Sequence, residues 1–224
     1  MATYLSMVNE VLMRLREDPV STVNQSNYSK MIGLYINDAK KQVEEAWDWD
    51  ALTSTIPITI GAGLGYLGSS TRYLVPGIGT RFKNVFINNI SNGFKHPLRL
   101  VSYGDLLTRE QMSTTTISAA PAWFAWYGND GTDAIVAIWP TPAATYTLAV
   151  NSNVPQVDLT ADTDIILVPS EPVVAGAYAR ALVERGEDGG LSSSEAYGLF
   201  KGILADRISL EQSRSEEYDT WDVV

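Results

Sequence analysis

The stretch from Pro121 to Val150 constrains the fold of this chain more than any other. It reads Pro-Ala-Trp-Phe-Ala-Trp-Tyr-Gly over residues 121–128, Ala-Ile-Val-Ala-Ile-Trp over 134–139 and Thr-Tyr-Thr-Leu-Ala-Val over 145–150. In the last segment Tyr146, Leu148 and Val150 alternate with Thr145, Thr147 and Ala149, a period of two that gives a strand one dry and one wetter face. Gly128-Asn129-Asp130-Gly131 is turn chemistry, because Gly and Asn accept positive φ at little steric cost. Trp139-Pro140-Thr141-Pro142 reads as a second turn, since proline brings no N–H to a ladder and holds its predecessor extended. Three consecutive strands with two turns are expected here.

Both flanks are helical. Residues 3–16 carry Leu5, Val8, Val11, Leu12 and Leu15 on one stripe, and Asp18-Pro19 is expected to end that helix. A second helix is expected from Asn27 to Trp47, with its stripe on Tyr28, Met31, Tyr35, Ala39, Val43 and Trp47. Its last turns bring Glu44, Glu45, Asp48 and Asp50 to the negative end of the helix dipole, where acids are mildly unfavourable. Near the other end, Ser170-Glu171-Pro172 is a start signal, Val173, Val174, Ala177, Tyr178, Ala181 and Leu182 form a stripe, and Gly186 stops it. Ser192 and Glu195 have capping-box spacing and open a last helix to about Arg214, with Ala196, Leu199, Phe200, Ile203, Leu204 and Ile208 on one side.

The middle is strand-rich. Ile56, Ile58 and Ile60 alternate, and Pro57 marks that strand as an edge. Residues 61–70 form a glycine-rich loop, residues 72–75, 82–88 and 98–101 read as short strands, and Ser102 caps a short helix to about Gln111. Two separate helix pairs would bury little apolar area, so the ends are expected to pair. The expectation is an α+β protein: a four-helix bundle formed by the N- and C-terminal helices (residues 1–50 and 170–214), with an inserted antiparallel β-rich domain (51–169) and an acidic tail (215–224).

Composition removes several function classes. There is no cysteine and one histidine, His96, so thiolate metal sites, disulfides and two-histidine metal sites are ruled out. No apolar run approaches the ~20 residues that span a bilayer, and Met1-Ala-Thr-Tyr lacks the basic and apolar regions of a signal peptide. A formal net charge of -10 repels phosphate, which argues against sequence-specific nucleic-acid binding.

Several local patterns have a sharp and an ordinary reading. Glu44, Glu45, Asp48 and Asp50 offer carboxylates for glycoside cleavage, but that chemistry needs one raised acid opposite a second at a set separation, and an exposed rim is the ordinary case. Gly61-Ala-Gly-Leu-Gly65 imitates a dinucleotide loop without the helix that would hold the phosphate. Asp158, Asp162 and Asp164 miss the calcium-loop spacing. Asn27-Tyr-Ser and Asn89-Ile-Ser fit the glycosylation triplet, which matters only on a secretory route. Trp123, Phe124, Trp126, Tyr127 and Trp139 could stack sugars, yet alternate residues of a strand must be buried somewhere. Arg81, Lys83, Lys95 and Arg99 are the one basic concentration; pairing with acids of a neighbouring subunit is preferred over lining a DNA channel, which must not grip its cargo.

The order of features resembles phage head–tail adaptor proteins, including the tail tubular protein A type of short-tailed phages. The residues that carry the likeness are Pro121, Phe124 and Gly128; Trp139-Pro140-Thr141-Pro142; Tyr146 and Leu148; Leu159-Thr160; Tyr178-Ala-Arg-Ala-Leu-Val-Glu184; Glu17-Asp18-Pro19-Val20-Ser21; and Trp47 with Trp49. It covers most of residues 1–213, and departs at the turn after Trp126, the loop 113–120 and the tail. The resemblance implies a structural, non-enzymatic protein without a cofactor, assembled in the host cytoplasm and placed at the virion neck. It implies a homo-oligomeric ring, a dodecamer, under the portal protein, with tail nozzle or tail-tube proteins below and DNA passing through the lumen without sequence-specific contact. Glu216, Glu217, Tyr218, Trp221, Val223 and Val224 would dock onto the portal. Trp47, Trp49, Arg81, Lys83 and Arg99 would lie between subunits, and acids are expected toward the lumen. Loops 61–70, 113–120 and 151–164, with Gly63, Leu64, Thr115 and Thr116, would face the tail. The competing readings are a tail-completion or terminator ring, and a carbohydrate-binding or peptidoglycan-cleaving tail module.

Overall fold

In chain order the elements are α1 (Tyr4–Arg14), α2 (Asn27–Ala46), β1 (Thr53–Ile60), β2 (Arg72–Leu74), β3 (Lys83–Asn89), β4 (His96–Pro97), β5 (Arg99–Leu100), α3 (Tyr103–Met112), β6 (Ser118–Ala119), β7 (Trp123–Asn129), β8 (Ala134–Trp139), β9 (Thr141–Pro142), β10 (Tyr146–Asn153), α4 (Ser170–Arg185) and α5 (Ser193–Gln212). The computed structural model describes residues 2–61, 64–91, 95–113, 117–186 and 193–214. The chain is α+β, with five described helices and mainly antiparallel sheets. It divides into a helical unit, residues 1–51 and 156–224, and a β unit, residues 52–155.

In the helical unit, α1 begins where the Thr3 and Ser6 hydroxyls cap each other's backbone N–H groups. It stops ahead of Asp18-Pro19. Arg16 adopts φ 60°, its N–H donates to the Met13 carbonyl and the Glu17 N–H to the Leu12 carbonyl, so the terminal carbonyls are satisfied by a left-handed residue before the proline acts. At the far end Gly186, at φ 63°, closes α4 as its sequence predicts. Ser170 does not cap α4; it is the first helical residue, and Pro169 precedes it without a side-chain bond. The expected Ser192 cap lies outside the described residues.

Packing centres on α4, which contacts α1, α2 and α5. Small residues make this possible. A Cβ added at Gly176 would stand 3.2 Å from both the Ala39 Cβ and the Phe200 ring, so α4 is held tightly between α2 and α5. Residues 172–177 of α4 are all buried, while the expected stripe residue Tyr178 sits at its margin.

The buried face of α2 keeps Ala39 and Val43 of the expected stripe but elsewhere lies one position away from it. Ile32, Gly33, Ile36, Ala39, Lys40, Val43 and Glu44 are inside, and Tyr28, Met31 and Tyr35 are only half-buried. An apolar pattern could not show this, because the segment after residue 155 supplies partners for buried polar side chains. Lys40 Nζ reaches Glu44 Oε1 at 3.1 Å and the carbonyls of Gln156 and Val157 at 2.6 and 3.2 Å. Asn37 exchanges two bonds with the backbone of Leu159, at 3.0 and 2.8 Å. The carbonyls of Asp164 and Asp162 accept from Tyr4 and Leu5, two N–H groups that a helix start leaves without internal partners. Residues 156–169 therefore belong with the helices, and the expected boundary at 169 moves to 155.

The β unit begins and ends on neighbouring strands: β1 pairs with β10 along its whole length, from Thr53 opposite Asn153 to Ile60 opposite Tyr146. One sheet has the order β1-β10-β3-β4 and the other β2-β8-β7-β5. Pro57 sits on an edge strand, as expected. Between the sheets lies an apolar core that includes Ile58, Ile60, Tyr73, Ile87, Phe124, Val136, Ile138, Leu148 and Val150. The other face of the second sheet is covered by α3, where Leu106 meets Ala125 and Ala137. That double cover explains the continuous apolar run in β8, whose first five residues are all buried.

Both expected turns of the central meander shift. Gly128 and Asn129 still pair with Ile135 and Ala134, after a bulge at Trp126, so the turn is Asp130–Asp133, fixed by the Asp130 carboxylate accepting from the N–H groups of Thr132 and Asp133. Thr141-Pro142 is a short strand parallel to Ser118-Ala119, entered through a cis Trp139–Pro140 bond. Proline supplies a carbonyl there and needs no N–H partner.

Candidate functional site

The acidic end of α2 divides into an inside and an outside. Trp49 is buried, its indole N–H donating to the Val43 carbonyl at 2.8 Å, so its ring is used within its own chain. Glu44 is also inside, against Lys40. Glu45, Asp48 and Asp50 are exposed around a half-buried Trp47. Glu44 is thus committed to Lys40 and differs in environment from the three acids outside.

The β unit carries the expected basic positions and also exposes apolar side chains that the sequence pattern does not mark. The Leu98 N–H donates to the Ile87 carbonyl at 2.8 Å, and the chain then passes to the other sheet, where Arg99 and Leu100 pair with Trp123 and Phe124 of β7. Arg81 and Arg99 are exposed and Lys83 is half-exposed. Phe86 is 53% and Leu100 56% exposed. The signal for Phe86 was its phase: Val85 and Ile87 take the core side of β3, so Phe86 must face out.

The loop after β1 is built, not slack. The Tyr73 hydroxyl lies 3.1 Å from the Gly61 carbonyl and 2.8 Å from that of Ser70, tying its two ends together, and burial pushes the Tyr73 phenol above its ordinary value. Its tip is Leu67, 90% exposed at φ 50°. Leu64 is exposed beside it. A three-residue turn, Tyr66–Gly68, follows the glycines, so no phosphate-holding helix exists there. Gly63, Thr115 and Thr116 lie outside the described residues, as do Glu216, Glu217, Tyr218, Trp221, Val223 and Val224 of the tail.

The other local patterns resolve into packing. Arg109 lies over the rings of Trp123 and Trp139, and Trp126 packs against Phe82 and Phe124, so these rings are engaged within the chain, while Tyr127 is 48% exposed. Asp158 pairs with Lys41, and Asp162 accepts from the Val23 N–H. The Thr160 and Ala161 N–H groups hold the Asp164 carboxyl below the usual carboxylate range. No group of three or more potential ligands converges on a metal position among the described residues. The 151–164 stretch is the end of β10, to Asn153, followed by the segment held on α1 and α2.

The last helix is the least covered. Only Ala196 and Phe200 of α5 are buried; Leu199 and Leu210 are 50% and 44% exposed, and Ile203, Leu204 and Ile208 are half-exposed. Two shallow grooves flank it, one of about 240 Å³ lined by Arg14, Ala175, Tyr178, Ala196 and Leu199, the other by Glu171, Ile203, Asp206, Arg207 and Leu210.

Charge follows the division into units. Residues 52–155 hold six Lys or Arg and four Asp or Glu, a net of +2. The rest of the chain holds ten and 22, a net of −12. In comparison with known families, residues 2–223 match the family described as SU10 adaptor protein. The chain belongs to the SU10 adaptor protein family. It is thus a phage structural adaptor and a virion component, one that interacts with other head and tail components. No curated protein matches the chain. No described helix of the adaptor is long and apolar enough to cross a membrane.

Proposed function

We propose that this adaptor is a head-to-tail connector: copies of the chain form a ring, a dodecamer, that joins the portal to the tail and continues the DNA channel. The observation that carries the reading is the adaptor-family match along residues 2–223. The order of motifs shared with the tail tubular protein A type supports the ring form. The helical unit, read as a four-helix bundle centred on α4, contributes helix-on-helix burial between copies through the half-exposed stripe of α5. Trp47, Arg81, Lys83 and Arg99 contribute to the same contact, and Trp49 supports them from inside. The loop bearing Leu64, with Gly63, and the loop with Thr115 and Thr116 face the tail nozzle or tube. The segment from Glu216 to Val224 is captured by the portal, its aromatic residues as anchors and its acids as steering charge.

Net negative charge over many copies suits a channel that lets DNA slide, so acids line the lumen. Assembly takes place in the host cytoplasm. Electron microscopy of the protein mixed with portal rings tests the reading: added ring density on the portal is expected, and bare portals at saturating adaptor would sink it. Truncation after Arg214 tests the capture step, which predicts loss of portal binding by an otherwise folded protein.

A further inference from the structure

The two sheets of the β unit differ in how their outer faces are finished. α3 lies across one of them, with Leu106 against Ala125 and Ala137. In the other, Ile56, Ile58, Ile87, Leu148 and Val150 belong to the core, so their neighbours along each strand take the outer side. The strand register sets these neighbours in rows. One row is Thr55, Asn151 and Phe86, the next is Pro57, Ala149 and Asn88, and Thr59 beside Thr147 follows. None of these rows contains a charged residue. Thr55, Pro57, Thr59 and Phe86 are exposed.

The polar groups of this face are already engaged with one another. The Thr55 hydroxyl donates to Asn151 Oδ1 at 2.7 Å, and the Asn151 amide reaches the carbonyls of Ala149 and Phe86 at 3.3 and 3.4 Å. Covering such a surface strips few unpaired groups of water, so its desolvation costs little. β10, at its middle, is paired on both sides, which keeps the ordering cost low as well.

The same features limit what can cover it. A phosphate backbone needs Lys or Arg, and the rows supply neither. A sugar needs hydrogen-bonding groups beside a stacking ring, and Thr55 and Asn151 bond each other. One exposed phenyl ring is too little apolar area to hold a bilayer. A second copy meeting the face with its own equivalent makes a twofold pair, which stops at two and does not continue round a ring. An uncharged surface of a different protein remains. Leu64 indicates which one. A Cβ added to Gly61, the residue after β1, would stand 3.2 Å from Thr145 Oγ1 and 3.5 Å from Leu64 Cδ1, so Leu64 folds against the Thr59–Thr147 end of the face while staying 53% exposed. The loop that carries Leu64 is the tail-facing loop of the connector reading.

We infer that this open sheet face, with Phe86 and Leu64 as apolar anchors, is the seat of the tail nozzle or tube protein, which meets it with an uncharged surface. The inference rests on the connector reading and names the surface that the tail uses. Phe86→Lys with Thr59→Lys tests it by placing two charges on the face without touching the core. Portal rings, the full adaptor chain and the purified nozzle or tube protein of the same virion are mixed and imaged, and melting is followed separately. The variant is expected to melt as wild type and to add ring density to portals, while the share of adaptor-bearing portals that carry the tail protein falls several-fold. With wild-type chains that share should hold nearly constant between ~0.1 and ~1 M salt, because no charge pair is there to be screened. Attachment at the wild-type level in the variant, or its loss in salt, would overturn the inference. Failure of the folded variant to form rings would overturn it too, by placing the face between copies. If the double variant melts early, Thr59→Lys alone, which removes no apolar group, takes its place with the same expectations. The ring reading fails separately: wild-type chains that leave portals bare, yet bind the tail protein as monomers in a way the variant loses, would sink the ring and leave the docking face standing.

Discussion

Two neighbouring helices, α4 and α5, are used in opposite ways. The stretch 172–177 of α4 is buried without interruption and carries Ala175, Gly176 and Ala177 so that α2 and α5 can approach it. On α5, a longer helix, only Ala196 and Phe200 are buried, and a row of leucines and isoleucines remains half in water. A helix that is small and buried all round is a core element; one with an uncovered apolar stripe keeps burial in reserve for another chain. The same split recurs along α2, whose middle is closed over by the return segment while its end stays open around Trp47. The helical unit is thus finished on the α2–α4 side and unfinished along α5.

The finished side is tested most severely at Lys40. Its ammonium is fully enclosed and holds Glu44 together with two carbonyls of the return segment. Lys40→Ala leaves the Glu44 carboxylate buried beside two carbonyls that have lost their donor, and should cost about 3–5 kcal/mol. Chemical denaturation measures this. A cost below ~1 kcal/mol would mean that the segment 156–169 is held mainly by apolar contacts.

Gly176→Leu comes next. The side chain would enter a space already closed at 3.2 Å by Ala39 and Phe200, and the expected loss is about 1–3 kcal/mol, read from the denaturation midpoint. A neutral result would mean that α5 can move off α4 at little cost, which would remove the contrast between the two helices.

Much of this was legible in the sequence and some was not, for physical reasons. Strand alternation in 145–150 and 56–60, the edge assigned to Pro57 and the Gly186 stop each follow from one residue's backbone chemistry and recur in the structure. The buried face of α2 was misread because Lys40 and Glu44 count as polar in any periodicity, and only a segment more than a hundred residues away makes them interior. The resemblance implies a place near the subunit contact for Trp49, but the backbone partner of its indole, six residues earlier, is visible only in the fold. Charge marks Arg81, Lys83 and Arg99 in the sequence, while the exposure of Phe86 and Leu100 follows from strand phase and the passage of the chain from β4 to β5.

A gain is expected on the unfinished side. Gly202 lies on the open surface of α5 with nothing within 4 Å of an added Cβ. Gly202→Ala should stabilise the isolated chain by up to about 1 kcal/mol, because alanine loses less backbone entropy in a helix. Thermal melting of the monomer reads it, and a loss of stability would show that the α5 surface is already covered within the chain.

The smallest effect on stability should fall at Leu199, and it separates the two uses of a helix most cleanly. Half of this residue is in water, and it borders the groove shared with Tyr178 and Ala196. Leu199→Gln keeps the length and the helix propensity, so the monomer should stay within about 0.5 kcal/mol of wild type. Association should respond differently, because every contact between copies would then bury an amide where it had buried an isobutyl group. Sedimentation of the variant with portal rings is expected to show a several-fold loss of bound adaptor at unchanged melting temperature. If the melting temperature drops instead while ring binding persists, α5 is part of the core in spite of its exposure, and the copies meet elsewhere.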